Sequence, residues 1–516
     1  MIRIHGWVLL VASVTSFAAT NGSSSLIQAV KDQDATAVRT LLQHGADANA
    51  READGTTALH WAASRDDLAA TELLIKAGAN VKAVNRYGVS PLLIACSNAS
   101  AALVEQLLKS GADANSALPE GETAVMTAAR AGKADVIRAL YKAGADVNAK
   151  ESWHRQTAVM WAAASNYPAA IEMLKEEGAD INVRSDGGFT AIMFAARDGR
   201  LEAAQALVKL GANVNDTVQP LTAPPMGQTG PLKVNPYTGS LDVRRLGPRP
   251  VGPKGISALV LAITNAHFAV AKFLVDQGAD VNASAQGWTP LIQLEYVRRP
   301  NLGKGLAPPE SIDTFDSLEL AKALLDHGAN PNARQTQLID DKARINQNPI
   351  GATAFFLAAK HADVPMMRLL ADRGADPLLG TEDGVTPLAA ASGVGLFNLG
   401  ESPGTNEEAL EAVKLAYQLG GSKDLNTPDK FGWTPMHGAA LRGAPDILQF
   451  LVEKGANIDI KCSDGWTPLR IADGILYTGT LKRGREAGER LRQLMRARGM
   501  TVKDFDDSVD DGIFPQ

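Results

Sequence analysis

A histidine beside a tryptophan is the first place in this chain where side chains could do chemistry. His60 and Trp61 stand in the segment GTTALHWAAS, and His60 is three residues after Thr57. An imidazole near neutral pH can serve as a general acid or base and is a common metal ligand. Whether His60 has such a role depends on which residues occupy the same position elsewhere in the chain.

A serine between two glycines is the second such place. Gly400, Ser402 and Gly404 in GESPG satisfy the Gly-x-Ser-x-Gly pattern of serine hydrolases. That pattern needs the backbone amide of the residue after the serine as an oxyanion donor, and proline has no amide hydrogen. Because this residue is Pro403, we reject a hydrolase site here.

Motifs that bind metals, haem or nucleotides are missing from the sequence. It has no His-Glu-x-x-His, no Cys-x-x-Cys and no Gly-Lys-Ser/Thr phosphate loop. We therefore predict no catalytic residue, no cofactor and no metal. Two cysteines, Cys96 and Cys462, are too few for a disulfide framework, so packing must stabilise the fold.

A segment that ends in glycine recurs along most of the chain. The spacings are 33, 33, 33, 34 and 33 residues between Gly45, Gly78, Gly111, Gly144, Gly178 and Gly211. The register continues, with insertions, through Gly278, Gly328, Gly374, Gly420, Gly455 and Gly499. A period of 33 with a Thr-Pro-Leu-His-x-Ala motif is typical of ankyrin repeats, and over roughly residues 25–500 the chain resembles that family.

Each repeat has residues that begin and end two helices. A hydroxyl at one register can cap a first helix, at Thr57, Ser90, Thr123, Thr157, Thr190, Ser257, Thr289, Thr353, Thr386, Thr434 and Thr467. The closing glycine suits a left-handed helix end. Since no unit can bury its apolar faces alone, we predict an all-α fold, an ankyrin-repeat α-solenoid of about twelve helix-turn-helix units with hairpin loops.

The repeat register answers the question about His60. The same position holds His437 in one other repeat and apolar residues elsewhere, at Leu93, Met126, Met160, Met193, Ile292 and Phe356. A catalytic or metal-binding role would not tolerate that exchange. The resemblance implies that His60 is a structural hydrogen-bonding residue near the helix start, and we interpret Trp61 and Trp161 as large residues of first helices.

Aromatic residues near the predicted hairpins are the candidates for partner binding. Four share the position just before the capping residue, which in ankyrin repeats faces the concave groove: Phe189, Trp288, Trp433 and Trp466. Two more, Tyr87 and Trp153, lie on neighbouring hairpin tips. Exposed aromatic residues are typical hot spots of protein interfaces. The alternative is that a tryptophan at this position packs over its own hairpin.

A proline-rich insertion interrupts the repeats. Residues 217–254 have eight prolines and five glycines, which predicts irregular structure on the hairpin side. Its basic residues Arg244, Arg245 and Arg249 could steer an acidic partner; the alternative is a tolerated surface loop. Shorter insertions are predicted at 298–316, 335–350, 395–406 and 473–488.

The N-terminus resembles a secretory signal. Arg3 is followed by an apolar run from Trp7 to Phe17 and then by small residues, which is typical of a cleavable signal peptide. We therefore predict export to the periplasm or the medium, with membrane contact only through the signal peptide before cleavage. The predicted order is a signal peptide (1–19), repeats with an incomplete first unit as a cap (20–216), the insertion (217–254), further repeats (255–500) and an acidic tail (501–516).

Two glycosylation sequons bear on the source of the protein. Asn215 and Asn282 each begin an Asn-x-Ser/Thr acceptor site inside the repeated turn. A glycan there would disrupt the stacking of repeats. This favours export from a bacterium over a eukaryotic secretory pathway.

The net charge and the motifs together limit which classes of function are possible. A net charge of −6 without a basic face argues against nucleic acid as a partner, and no small-molecule substrate is expected. We predict a monomeric, non-catalytic protein-protein interaction scaffold that binds a partner protein along the concave groove and hairpin loops. Two alternatives remain: a secreted effector that engages host proteins, and an enzyme with its site in the inserted loops.

Overall fold

Short helices in pairs make up nearly all of the regular structure of this protein. The structure, a computed structural model, describes residues 25–98, 100–219, 255–299, 315–337, 348–396, 404–477, 480–482 and 484–504. The chain divides into two units, Met1–Gly255 and Ile256–Gln516. This division immediately follows the predicted insertion.

The described part of unit 1 has six helix pairs. Its first helices are α1 (25–31), α3 (Ala58–Ser64), α5 (Pro91–Asn98), α7 (Ala124–Arg130), α9 (Ala158–Ala164) and α11 (Ala191–Arg197). Its second helices are α2 (Ala35–Gln43), α4 (Leu68–Lys76), α6 (Ala101–Lys109), α8 (Ala134–Lys142), α10 (Pro168–Glu176) and α12 (Leu201–Lys209).

Unit 2 repeats the same arrangement. Its first helices are α13 (Ala258–Thr264), α15 (Pro290–Arg298), α17 (Ala354–Lys360), α19 (Pro387–Ser392), α21 (Pro435–Arg442) and α23 (Pro468–Asp473). Its second helices are α14 (Phe268–Asp276), α16 (Ser317–Asp326), α18 (Val364–Asp372), α20 (Asn406–Gln418), α22 (Pro445–Glu453) and α24 (Arg485–Ala497). A 3-10 helix, Gly421–Asp424, follows α20.

Hydroxyl side chains begin most first helices, as the register predicts. The hydroxyl accepts a hydrogen bond from a backbone N–H one turn into the helix at Ser90, Thr123, Ser257, Thr289, Thr353, Thr386 and Thr467. Thr157 and Thr190 differ, because their buried hydroxyls have no hydrogen-bond partner among the described residues. The closing glycines adopt positive φ, for example +86° at Gly78, which only glycine adopts without strain.

Stacked repeats supply the core of each unit. From α3 to α11 in unit 1 and from α13 to α23 in unit 2, each first helix contacts the next first helix, and the second helices within each unit contact one another in the same way. Alanine pairs such as Ala62 and Ala63 are fully buried, so first helices can approach closely, while second helices contribute buried leucines such as Leu74. Full burial of one such leucine stabilises the fold by about 1.5–3 kcal/mol. The predicted all-α solenoid is confirmed for both units.

Asparagines in the turns tie successive repeats together. The amide of Asn49 donates to the Gly78 carbonyl at 2.9 Å, and its oxygen accepts from the Asn80 N–H at 2.7 Å. In unit 2, Asn282 makes the same two contacts, with the Gly328 carbonyl at 2.9 Å and the Asn330 N–H at 2.8 Å. One side chain therefore satisfies a donor and an acceptor of the next turn.

A small hairpin was not predicted from the sequence. Between α23 and α24, in the segment predicted as an insertion at 473–488, β1 (Ile475–Tyr477) pairs antiparallel with β2 (Thr480–Lys482). This is the one departure from helix in the named elements. No helix in the described ranges has the length and apolarity needed to cross a bilayer.

Several predicted segments lie wholly or mainly outside the described residues. They are the signal peptide at 1–19, the insertion at 217–254 with Arg244, Arg245 and Arg249, the centres of 298–316, 335–350 and 395–406, and most of the tail at 501–516.

Candidate functional site

His60 links two consecutive repeats through both ring nitrogens. Its Nδ1 accepts from the Thr57 N–H at 3.1 Å and lies 2.8 Å from the Thr57 hydroxyl, so the ring proton is on Nε2, which donates to the Val89 carbonyl at 3.0 Å. Burial lowers the pKa of His60 and keeps the ring neutral. The structural role that the resemblance implies is confirmed.

His437 repeats this arrangement in unit 2. Its Nδ1 is 3.1 Å from the Thr434 nitrogen and 2.9 Å from the Thr434 hydroxyl, and its Nε2 is 3.1 Å from the Trp466 carbonyl. Burial lowers the pKa of His437 as well. Both histidines therefore bind backbone and are not placed to act on a ligand.

The Trp61 side chain makes its polar and cation contacts within the protein. Its indole N–H donates to the Glu52 carboxylate at 2.7 Å, and the Lys31 ammonium lies 4.4 Å from the ring centroid. Lys31 and Glu52 are paired at 2.6 Å. At the same register, Trp161 has the Arg130 guanidinium 5.1 Å from its ring centroid.

The hairpin tips of three consecutive repeats of unit 1 form a groove of about 440 Å³. We call it the tip groove. Its aromatic and apolar lining consists of Tyr87, Val89, Leu118, Trp153 and Trp161, and its polar lining of Glu120, Glu122, Glu151, His154 and Gln156. The tip groove thus brings together two of the six predicted aromatic residues, Tyr87 and Trp153, which are 38% and 39% exposed.

Sequence reasoning missed most of the other lining residues, although the register contained a signal. Val89, Glu122 and Gln156 stand directly before the capping residues of three successive repeats. We predict partner binding at that position only where the residue is aromatic. Comparing every residue directly before a capping residue, whatever its type, would therefore identify Glu122 as a lining residue.

Glu151 and Glu122 have partners within the protein. The buried Glu151 carboxylate accepts from the backbone N–H groups of Trp153, His154 (2.7 Å) and Gln156 (2.9 Å), which fixes the shape of its own tip. Glu122 accepts from the Thr127 hydroxyl at 3.0 Å and pairs with Arg130 at 2.9 Å.

Backbone hydrogen bonds join the tips to one another. The Ser152 N–H donates to the Glu120 carbonyl at 2.9 Å, and the Asp186 N–H donates to the His154 carbonyl at 2.7 Å. Gly121 (φ +86°) allows this approach, because a Cβ there would lie 2.7 Å from the Ser152 hydroxyl and 2.9 Å from its backbone nitrogen. The groove is therefore held in shape before any ligand arrives.

The remaining predicted aromatic residues do not line the tip groove. Phe189 packs on Phe194 with ring centroids 5.7 Å apart, and the Trp288 indole donates to Gln293 at 2.7 Å. Trp433 is only 6% exposed and its ring lies beside the His437 ring of α21, so it is packed within the fold.

Trp466 is half-buried, and its carbonyl accepts the hydrogen bond from His437. The basic residues Arg244, Arg245 and Arg249 fall outside the described residues, and their role stays a prediction.

Unit 2 contains a buried cluster of ionisable groups that the sequence did not reveal. His361 Nδ1 lies 3.2 Å from the Glu295 carboxyl, and Arg298 pairs with Asp363 at 2.9 Å. Burial raises the pKa of Glu295, with a further contribution from Asp363, and burial lowers the pKa of His361 to about 3. Both side chains have almost no exposed surface for a substrate to reach.

The described residues show no group of three or more His, Cys, Asp or Glu side chains suited to a metal ion. Cys96 and Cys462 are both buried as free thiols.

Family models for ankyrin repeats match much of the chain. A model for three copies matches overlapping segments from residue 9 to residue 218, a single-repeat model matches 254–285, and a model for many copies matches 418–472.

Curated proteins from animals align over parts of the chain. Protein phosphatase 1 regulatory subunit 27 of Homo sapiens is 41% identical over 64 residues, which is 12% of this chain and 40% of that protein. Transient receptor potential cation channel subfamily A member 1 of Homo sapiens is 26% identical over 49% of this chain and 22% of that protein. Ankyrin repeat and SOCS box protein 3 of Bos taurus is 28% identical over 42% of this chain and 33% of that protein. The chain spans less than half the length of each.

Proposed function

Because this chain belongs to the ankyrin-repeat family, we propose that it is a non-catalytic scaffold that binds a partner protein through the tip groove and neighbouring hairpin loops. Repeat proteins of this kind use extended surfaces formed by successive repeats for binding. The proposal includes export to the periplasm or the medium.

The observation that carries the proposal is a preformed groove with exposed aromatic walls. Tyr87 and Trp153 keep more than a third of their surface in solvent on tips that backbone hydrogen bonds fix. Large aromatic side chains on rigid supports lose little entropy on binding and are frequent hot spots. By contrast, the histidines that could have acted in catalysis are buried and bound to backbone.

Capture of a partner tests the binding part. The full chain would be used as bait in extract and medium of the source organism, beside a Tyr87→Ala/Trp153→Ala double variant. The control is Tyr141→Ala, because Tyr141 is equally exposed but lies on the second helix α8. We expect the double variant to lose the captured protein by about 30-fold or more, since the loss of even one hot-spot side chain costs about 2 kcal/mol or more.

The binding proposal fails if no protein is captured specifically, or if the double variant captures it as well as Tyr141→Ala does. Circular dichroism of each variant checks that the helices are retained.

Export is supported by the N-terminal sequence and by the turn asparagines. The Asn282 amide donates to the Gly328 carbonyl, so a glycan on this nitrogen would remove a contact between repeats. This supports secretion in a cell that does not glycosylate the sequon. N-terminal sequencing of protein from fractionated cells tests it: we expect mature protein beginning after Ala18 or Ala19 in periplasm or medium, whereas uncleaved protein in the cytosol would contradict export.

A further inference from the structure

The tip groove has a one-sided charge. Three glutamates, Glu120, Glu122 and Glu151, are among the residues that line it, and none of its lining residues is lysine or arginine. Two of these carboxylates are already bound within the protein, as described above. The Glu120 carboxylate has no hydrogen bond or ion pair with any other described residue and is partly exposed.

Glu120 lies between the two exposed aromatic walls. Its carbonyl accepts from the Ser152 N–H, next to Trp153. On the other side, the tip that carries Tyr87 approaches the neighbouring Pro119 so closely that a Cβ at Gly88 would lie 2.8 Å from its ring. The turn that carries Glu120 therefore lies between the turns that carry Trp153 and Tyr87, and all three residues line the groove.

The protein itself shows what such a combination binds. Between the first two repeats, the Lys31 ammonium lies over the Trp61 ring at 4.4 Å and pairs with Glu52 at 2.6 Å. Beside the groove lining, the Arg86 guanidinium lies 4.7 Å from the centroid of the Tyr87 ring. A cation placed on an aromatic ring and paired with a carboxylate gains from both interactions.

We propose that the tip groove binds a positively charged side chain, arginine or lysine, in an extended segment of the partner protein, with Glu120 as its counter-ion and Trp153 and Tyr87 as its walls. This rests on the proposed function and adds the chemistry of the ligand. The tip groove would thus bind a positively charged part of the partner, whereas the basic insertion is predicted to attract an acidic part. The groove and the insertion would therefore contact different parts of the partner surface.

Fluorescence anisotropy with defined peptides tests the charge preference. Fluorescein-labelled peptides of five Gly-Arg, Gly-Lys, Gly-Gln or Gly-Glu repeats would be titrated with the full chain at about 0.15 M salt, where long-range attraction is screened. We expect the Gly-Arg and Gly-Lys peptides to bind and the Gly-Gln and Gly-Glu peptides not to bind.

A matched pair of charge reversals separates the groove from general electrostatics. Glu120→Lys should weaken binding of the Gly-Arg peptide by about tenfold or more, because it replaces the counter-ion with a like charge. Glu72→Lys makes the same change in net charge on an exposed position of α4 and should alter binding less than about twofold. Equal losses in the two variants, equal binding of the Gly-Glu peptide, or no binding of either cationic peptide would overturn the proposal.

The outcome is distinguishable from failure of the scaffold proposal. If Tyr87→Ala/Trp153→Ala loses the captured partner while Glu120→Lys retains it in full, the groove binds a protein but not through a cation. If no partner is captured at all, the scaffold proposal itself fails.

Discussion

Two buried imidazoles show how this chain uses residues that elsewhere do chemistry. His60 and His437 each hold the start of one first helix and the backbone just before the next. Both capping threonines and both imidazoles are buried, so each hydrogen bond is shielded from water. Where the register holds Met126 instead, the side chain at this position packs, and the hydrogen bonds to the next repeat come from Asn115 and from the tip backbone.

Removing either ring should destabilise its unit. His60→Ala and His437→Ala each leave a buried N–H and a buried carbonyl without a partner, which costs about 1–3 kcal/mol. Urea unfolding followed by circular dichroism measures the change in the free energy of unfolding. Tyr141→Ala, on the surface of α8, is the control and should cost much less; equal costs in all three variants would contradict the structural role.

The Glu295 and His361 pair predicts a pH dependence of unit 2. Glu295 is faced by His361, Asp363, Arg298 and Arg299, and burial raises its pKa above the ordinary 4.5. Above pH 4.5 the unfolded chain loses this proton while the folded chain keeps it, so stability falls as pH rises.

Glu295→Gln should remove that loss, because the amide is neutral at every pH and can still donate to His361. We expect the free energy of unfolding of the wild type to fall relative to Glu295→Gln by up to about 1.4 kcal/mol for each pH unit above 4.5, until the folded-state pKa is passed. Parallel curves for the two proteins would contradict a neutral buried Glu295. On the acid side, the pKa of about 3 at His361 predicts a loss of stability as pH falls below 6.5.

At the scale of elements, the hairpin tips position the site. Each tip is a short turn. Backbone hydrogen bonds join the tip of Glu120 to that of Ser152 and the tip of His154 to that of Asp186, and glycine allows close approach of neighbouring tips. The helices behind the tips set their spacing, because first helices stack on first helices throughout the unit.

Alanine substitutions at two glycines with the same φ can distinguish backbone strain from a steric clash with the next tip. Gly78 and Gly121 both adopt φ +86°, but a Cβ at Gly78 meets nothing within 4 Å whereas one at Gly121 meets Ser152. Alanine at either position costs about 1–2 kcal/mol for the left-handed backbone. We expect Gly121→Ala to cost more in urea unfolding and also to weaken binding of the Gly-Arg peptide, while Gly78→Ala leaves the peptide affinity unchanged. Identical effects of the two variants on affinity would show that the joined tips do not shape the groove.

The elements were predictable where a local residue specifies them. Thr289 and Pro290 mark a helix start, and Gly278 marks the helix end before it, because capping and left-handed turns depend on a few neighbouring residues. The short strands at 475–482 escaped prediction, since the segment interrupts the repeat and has no register to compare. The Glu295 and His361 contact escaped it as well, because it joins residues 66 positions apart.

At the scale of the whole molecule, the repeated sequence of about 33 residues accounts for the fold, and the insertions between and within repeats account for the differences between them. The period of the glycines predicts paired helices in both units, and the structure confirms them. The groove could be predicted only in part: Tyr87 and Trp153 stand out as aromatic tip residues, whereas Glu120 becomes meaningful only once three tips are seen together. Fold membership alone does not identify a ligand.

Hydrogen exchange of the full chain, with and without the captured partner, tests the central claim most directly. The account predicts that the partner slows exchange at the three tips, residues 85–88, 118–122 and 151–156, while the second helices α4 and α6 exchange as before. Protection confined to the second helices, or none at the tips despite a bound partner, would contradict it.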